Sequence, residues 1–438
     1  MTLRISVIGT GYLGVTHAAC MASLGFTVVG IDIDPTKIAQ LSAGILPFYE
    51  PGLEDLLKTE LATGRLTFSS AISDASHCDV HFICVGTPQI KDGLAADISY
   101  VNSAVRAITP VAKAGSLIVG KSTVPVGTAQ RLRQELVSQR PDVDLAWNPE
   151  FLREGFAVED TLHPNRLVVG VTNDRAEQIL QEVYAENLAT GTPWIRADLP
   201  TSELVKVAAN SFLATKISFI NAMAEVCEAA GGDVTVLAEA IGYDPRIGHK
   251  FLGAGIGFGG GCLPKDLRAF MARAKELGAD RALDFLREID AINLRARARI
   301  IELVRRDLSD DLSGKKIAIL GAAFKPDSDD VRDSPALDIA AQIQAAGAAV
   351  TIYDPKAMDS ARKRFPALGY STSIKECMTG ADLVLHLTEW KEFQHIDPNE
   401  YLSIVNNPIM IDGRNKLDRD AWQAAGWKFR ALGRTSNN

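Results

Sequence analysis

Residues 3–14 read Leu3-Arg4-Ile5-Ser6-Val7-Ile8-Gly9-Thr10-Gly11-Tyr12-Leu13-Gly14, a short apolar strand running straight into a glycine turn. A helical pattern follows over Val15–Leu24. In a strand–turn–helix of this kind Gly9 makes the tight turn, Gly11 lets the backbone approach a pyrophosphate, and Gly14 lets helix and strand pack closely. The next strand, Val28–Ile33, carries Asp32, 18 residues after Gly14. An acidic side chain there accepts the adenosine ribose hydroxyls and repels a 2′-phosphate, so the expected cofactor is NAD rather than NADP. Lys37 is five residues further on. It reads equally as a neighbour of the adenosine or as a solvated surface lysine.

Strand-like and helical stretches alternate outward from this turn. Val80–Val85, Leu117–Val119 and Leu167–Gly170 are further apolar strands, and Leu53–Leu61 and Val101–Ala112 are helical. Apolar strands between helices predict a parallel sheet covered on both faces. Two loops directly after strands, Val85-Gly86-Thr87-Pro88 and Lys121-Ser122-Thr123-Val124-Pro125-Val126-Gly127-Thr128, are placed to line a cofactor crevice. The character then changes. Thr201–Ala230 reads as one long helix with Thr201 or Ser202 as N-cap and Gly231-Gly232 as stop. More helix follows at Val234–Ile241, Pro264–Leu277 and Phe285–Leu308. A helix that long is a subunit interface or a span between domains of one chain. Alternation returns at Lys315–Gly321 and Val350–Asp354, with later strands at Leu383–Leu387 and Ile409–Ile411. The expected fold is α/β: two Rossmann-like doubly wound domains, residues 1–200 and 311–438, joined by a helical middle domain, residues 201–310. Thr435–Asn438 read as a polar, frayed tail.

Composition narrows the classes. The chain has 438 residues, 47% hydrophobic and 23% charged, with a formal net charge of −8. That balance suits a soluble enzyme and disfavours nucleic acid or an anionic membrane as partner. Six dispersed cysteines without a C-x-x-C predict a reduced, cytoplasmic protein with no disulfide scaffold and no metal cluster. No secretory leader and no membrane span are expected.

Three constellations carry chemistry. Gly253–Asp266 reads GAGIGFGGGCLPKD. The glycines let backbone pass close to a ligand, and Pro264 suits the first turn of a helix. Cys262 at that helix start, near Lys265, is in an environment that favours thiolate, hence a nucleophile, or else it is a small packing thiol. Lys206 and Asn210 are one helical turn apart, as a ligand-binding pair or a solvated stripe. Glu150 and Glu154 have the same spacing, as acid–base carboxylates or as a helix surface.

Eight motifs in order, GTGYLG, VGTP, STVPVGT, NPEFLREG, YDPRIGHKFL, GFGGGCLPKD, FKPDSDDVRDSPA and DGR, run from Gly9 to Arg414. Together they closely resemble the UDP-glucose/GDP-mannose dehydrogenase family over essentially the whole chain. The resemblance implies an NAD-dependent four-electron oxidation of UDP-glucose to UDP-glucuronate, through a thiohemiacetal and a thioester on Cys262. It implies that Asp266 and Thr123 handle water and protons, that Lys206 and Asn210 hold the reacting oxygens, and that Glu150 serves hydrolysis. Gly9, Gly11, Tyr12, Leu13, Gly14, Asp32, Lys37, Thr87, Thr123, Glu154, Lys265 and Arg332 would hold NAD. Glu150, Phe151, Leu152, Lys206, Asn210, the loop Phe251, Leu252, Gly253, Ala254, Gly255, then Gly259, Lys325 and Arg414 would hold the sugar nucleotide. Arg246 would reach in from a neighbouring subunit of a homodimer built on the long helix. Gly261 stands where the family usually has Ser, which predicts a more flexible loop beside the thiol. Ser328 stands where Thr is commoner, and Ile256 where many members have Pro. A sibling substrate, GDP-mannose or a UDP-N-acetylhexosamine, and a two-electron dehydrogenase with a structural Cys262 are the rival readings.

Overall fold

Short runs of β-branched and aliphatic residues punctuated by glycine form strands, the central ones buried on both faces, which is what a sheet with helices on both sides requires. In a computed structural model, which describes residues 3–434, fourteen such strands are present among the described residues: β1 Arg4–Ile8, β2 Thr27–Ile31, β3 Leu66–Ser69, β4 Val80–Ile83, β5 Leu117–Gly120, β6 Asp144–Trp147, β7 Leu167–Gly170, β8 Trp194–Ala197, β9 Lys316–Leu320, β10 Ala349–Tyr353, β11 Gly369–Tyr370, β12 Leu383–His386, β13 Ile409–Asp412 and β14 Lys428–Ala431. The tail Thr435–Asn438 lies outside the described residues. The chain divides into two compact units, Met1–Ala209 with Arg268–Gly278, and Asn210–Leu267 with Ala279–Asn438.

The first unit holds an eight-stranded sheet in the order β3-β2-β1-β4-β5-β6-β7-β8. Its first six strands follow the doubly wound order, with the switch point between β1 and β4. One face is packed by Val15, Met21, Leu41, Leu53, Leu57 and Leu180. The other is packed by Val101, Ile108, Leu132, Leu136 and Trp147. The parallel sheet expected from the sequence is broken once: β6 and β7 pair antiparallel, Trp147 opposite Gly170. The connection between them, residues 148–166, contains a single short helix, Ala157–Leu162, and reverses direction instead of crossing over.

The second unit holds a six-stranded parallel sheet, β11-β10-β9-β12-β13-β14, which repeats the same doubly wound order. Its core joins these strands to Ile300 and Val304 of the helix Asp284–Asp307 and to Leu337, Ile339 and Ile343 of the helix Pro335–Ala345.

The long helix spans Leu199–Ala230, 32 residues, and the division between the units falls within it. Its start differs from the expected Thr201 or Ser202 cap. Both lie inside the helix, and the Asp198 carboxylate accepts the Thr201 N–H at 2.7 Å. Asp is as good an acceptor as Ser at this position, and Asp198 stands where the first free N–H groups emerge. The helix ends at Gly231, whose φ of +80° a side chain would resist, and the Gly232 N–H returns to the Cys227 carbonyl at 2.7 Å.

Candidate active site in two half-sites

The glycine turn behaves as a cradle. Gly9 has φ +92°, and a Cβ at Gly14 would collide with the Gly9 carbonyl and touch Cys84 at 3.3 Å. A Cβ at Gly11, by contrast, would meet nothing within 4 Å. Gly11 is therefore the residue that protein packing does not require, and the open space above it fits a pyrophosphate. The helix Tyr12–Ser23 begins there with no side-chain cap, so its amide groups face that space, as anion binding demands. Asp32 accepts the Thr10 N–H at 2.9 Å, the Thr10 hydroxyl at 3.0 Å and Lys37 Nζ at 2.8 Å, all on Oδ2. Its Oδ1 takes only the Asp34 N–H, at 3.1 Å, and keeps capacity for ribose hydroxyls. Burial alone would raise the carboxyl, but Lys37 and the amides of Thr10 and Asp34 hold it below its ordinary value, so it is ionised. Lys37 is thus the partner of Asp32, not an isolated surface charge. Ile33, 89% exposed beside it, offers an apolar shelf that sequence reasoning passed over.

Around the neighbouring strand ends, Ser122 Oγ donates to the Val85 carbonyl at 2.7 Å and ties the Thr123 loop to the Thr87 loop. Thr123 is half-buried and Thr87 buried. Glu150, Phe151, Leu152 and Glu154 lie in the irregular segment after β6. The four-residue spacing of the two glutamates is therefore not a helical one, because Pro149 and Gly155 bracket a segment with no helical hydrogen bonds. Glu150 Oε1 accepts the N–H groups of Phe151 at 2.7 Å and Leu152 at 3.0 Å, and Oε2 pairs with Lys121 at 3.0 Å. Burial would raise this carboxyl, yet Lys121, the Phe151 amide and Lys206 bring it below its ordinary value. Lys206 Nζ also lies 5.4 Å from the centre of the Phe151 ring, whose other neighbour is the Arg166 guanidinium at 4.0 Å. The first unit thus brings Glu150, Phe151 and Lys206 together.

The second unit brings together another set. Cys262 is the exposed one of six cysteines, none in a disulfide, immediately before the helix Leu263–Glu276, and the Asp266 N–H bonds its carbonyl at 2.9 Å. Asp266 is buried and accepts Asn210 Nδ2 and Lys265 Nζ, each at 2.7 Å. From Gly255 onward the glycines before Cys262 answer first to the protein itself, whereas a Cβ at Gly253 would meet nothing within 4 Å. A side chain at Gly257 would strike Asn293, and one at Gly259 would strike the Asp333 carbonyl. Asn293 also accepts the Phe258 N–H at 2.7 Å, and Asn221 accepts that of Gly255 at 2.8 Å. Phe251 is held at φ +65°, a strained value for a bulky residue, while Gly253 is exposed and Leu252 and Ala254 are buried. At Gly261 the Arg332 guanidinium occupies the space a side chain would take. Arg332 itself pairs with Asp330 at 2.7 Å. Arg414 turns its guanidinium onto the carbonyls of Leu387 at 2.8 Å, Phe324 at 3.0 Å and Gly257 at 3.3 Å. Lys325 lies 5.4 Å from the Phe324 ring. Arg246 is 86% exposed and paired with Asp244.

Comparison with known proteins settles the class. Three family models of the UDP-glucose/GDP-mannose dehydrogenase family match in order: the NAD binding domain at residues 3–188, the central domain at 200–295 and the UDP binding domain at 318–419. The chain is 41% identical to UDP-glucose 6-dehydrogenase TuaD of Bacillus subtilis (strain 168), over 98% of this chain and 93% of that one. It is 40% identical to a UDP-glucose 6-dehydrogenase of Rhizobium meliloti (strain 1021), over 99% and 100%. The chain belongs to the UDP-glucose/GDP-mannose dehydrogenase family. A solved UDP-glucose dehydrogenase of Pyrobaculum islandicum superposes with a TM-score of 0.91 at 35% identity, covering 99% of this chain and 98% of that one. This family member is an NAD-dependent oxidoreductase, and no helix among its described residues is long and apolar enough to cross a membrane.

Three residues of this dehydrogenase escaped the sequence reading. Glu50 is buried and accepts the Tyr12 hydroxyl together with the N–H groups of Gly155 at 2.6 Å and Ala157 at 2.7 Å. It pins the Glu154 segment to the cofactor helix. Glu203 accepts the N–H groups of Gly127 at 2.6 Å and Ala129 at 2.7 Å, and so caps the helix Thr128–Gln139 that follows the Thr123 loop. The third is Lys121, whose loop reads as lining the cofactor crevice but whose pairing with Glu150 does not show in the sequence. A charged residue that directly ends an apolar strand was the one local sign of it.

Proposed function

We propose that this enzyme oxidises the C6 alcohol of UDP-glucose to the carboxylate of UDP-glucuronate. The observation that carries the reading is Cys262: an exposed thiol at the start of a 14-residue helix, in a chain whose other five cysteines are buried. Helix amides at that end favour thiolate, the form that attacks an aldehyde. The Gly9–Gly14 turn, Asp32, Thr87 and Glu154, with Lys265 and Arg332, would hold NAD, which when bound would supply the hydride acceptor for the two oxidations. Lys206 and Asn210 hold the C6 oxygen as negative charge develops on it. Cys262 Sγ bonds to the aldehyde carbon and keeps the carbon in place until it reaches the acid level. Thr123 and Asp266 orient water, and Glu150 receives its proton in hydrolysis. The loop Phe251–Gly255, Gly259, Phe151, Leu152, Lys325 and Arg414 bind the sugar nucleotide.

The working unit is a homodimer in the cytoplasm, built on the long helix. Phe212, Phe219 and Val226 recur every seven residues there and are 66%, 46% and 54% exposed, an apolar stripe suited to a second copy. Arg246 then reaches the neighbour's sugar. Functionally the chain divides into a cofactor part (1–200), a helical part (201–310) and a sugar-nucleotide part (311–438).

The test is NADH yield from limiting UDP-glucose, with GDP-mannose and a UDP-N-acetylhexosamine in parallel. About two NADH per UDP-glucose, and no acid formed by Cys262→Ser, are expected. About one NADH, or undiminished acid from Cys262→Ser, overturns the covalent reading. Turnover of another sugar alone changes the substrate.

A further inference from the structure

We propose that Lys121 is a positioning residue for the acid-forming half of the reaction: its buried ammonium holds the Glu150 carboxylate in place, and in the ionised state, to take the proton of the hydrolytic water. This rests on the reading that Glu150 serves hydrolysis. Lys121 is 4% exposed at the carboxyl end of β5. An ammonium in such a place is costly unless every proton is met. Three oxygens meet it: Glu150 Oε2 at 3.0 Å, Asn148 Oδ1 at 3.1 Å and the Tyr184 hydroxyl at 3.4 Å. With three protons and three acceptors, no donor is left for a substrate, so Lys121 acts through Glu150. The support continues inward. Tyr184 donates to Asn148 Oδ1 at 2.6 Å, and Asn148 Nδ2 donates to the Val168 carbonyl of β7 at 2.9 Å. Glu150 is thus gripped on Oε2 by the ammonium and on Oε1 by two backbone amides, although its own segment has no regular structure.

The same groups line a cavity of about 50 Å³ together with His17. His17 is fully buried, and neither ring nitrogen has a hydrogen-bond partner among the described residues. A polar cavity of that size takes a few waters at roughly 10–15 Å³ each, which satisfies the imidazole and keeps water beside the carboxylate. In the step itself the water oxygen bonds to the thioester carbon while its proton passes to Glu150. The C–S bond then breaks, and its electron pair returns to Cys262 Sγ. A Glu150 that has lost the neighbouring ammonium takes up a proton beforehand and cannot accept this one.

The experiment compares Lys121→Met, Lys121→Arg and Glu150→Gln with wild type, mixing enzyme with UDP-glucose and excess NAD. NADH formation is followed rapidly, and quenched enzyme is weighed intact. For Lys121→Met we expect a burst of about two NADH per site, then turnover slowed about tenfold or more. A Cys262 acyl adduct should accumulate, with KM for UDP-glucose within about twofold of wild type. Lys121→Arg, which keeps the charge, should restore part of the turnover. Loss of the burst and of turnover together, or no adduct, overturns the proposal. If Glu150→Gln accumulates adduct and Lys121→Met does not, the role of Lys121 alone fails. If Glu150→Gln accumulates none, the hydrolytic role of Glu150 fails. Should Lys121→Met not fold, Tyr184→Phe removes one acceptor of the ammonium and should give the same adduct with a smaller slowing. An unchanged turnover in that variant counts against the proposal.

Discussion

The two doubly wound sheets repeat one strand order and one turn, yet the turn at Gly9 is open to a ligand and the turn at Gly321 is shut. Both glycines have positive φ, +92° and +115°. In both units an aspartate after the second strand accepts backbone N–H groups of the turn. Asp32 takes Thr10, and Asp354 takes Ala322 at 2.8 Å and Ala323 at 3.0 Å. The difference lies in what else reaches the carboxylate. Asp354 is nearly inaccessible: Trp390 Nε1 donates to Oδ2 at 3.1 Å, and the amides of Lys356 and Ala357 fill Oδ1 at 2.9 and 2.8 Å. Asp32 keeps an oxygen with a single partner. The helix after Gly9 also starts at once, at Tyr12, whereas residues 324–334 intervene before the helix Pro335–Ala345. Only the first turn is therefore given both helix amides and an acidic oxygen with spare accepting capacity, the two things a dinucleotide needs.

The largest effect that tests this contrast is on stability. Asp354→Ala strands five donors, four of them buried, so the unfolding free energy should fall by about 3–5 kcal/mol in a urea titration. NAD affinity of the folded protein should stay within about twofold. A loss of NAD affinity matching that of the Asp32 variant would break the contrast.

Asp32→Gly should act the other way round. NAD binding should weaken about tenfold, or 1.4 kcal/mol, and the NADP-to-NAD activity ratio should rise, because the group that repels a 2′-phosphate is gone. An unchanged ratio would deny Asp32 its role.

The smallest effect concerns Lys37. The Asp32 carboxyl is held below its ordinary 3.8, burial being outweighed by Lys37 and the amides. A depressed value in the folded state stabilises above about pH 3.8, and that stability is lost as pH falls through the lowered value. Lys37→Met should lessen the loss between pH 6 and pH 3 by under about 1 kcal/mol, read from urea midpoints. An acid loss as steep as wild type would mean that the amides alone ionise Asp32.

Much of this was legible in the residue order. Glycines at 9, 11 and 14, the apolar strands, the long helical stretch stopped by Gly231-Gly232 and the cysteine ahead of Pro264 are local signals, and backbone sterics and periodicity act locally. They account for both sheets, the cofactor turn, Asp32 and the placing of Cys262 at a helix start. They misplaced the cap of the long helix, because Ser, Thr and Asp compete for that position on nearly equal terms, and they read a helical spacing into Glu150 and Glu154. What only the tertiary structure decided is which polar groups meet across distant segments. Glu50 reaches Gly155 over 105 residues, Glu203 reaches Gly127 over 76, and Asp354 reaches Trp390 over 36. Lys121 finds Glu150 on the next strand's end. A buried charge is tolerated only where its partners converge, and that convergence is a property of the packed chain, with no trace in the spacing of its residues.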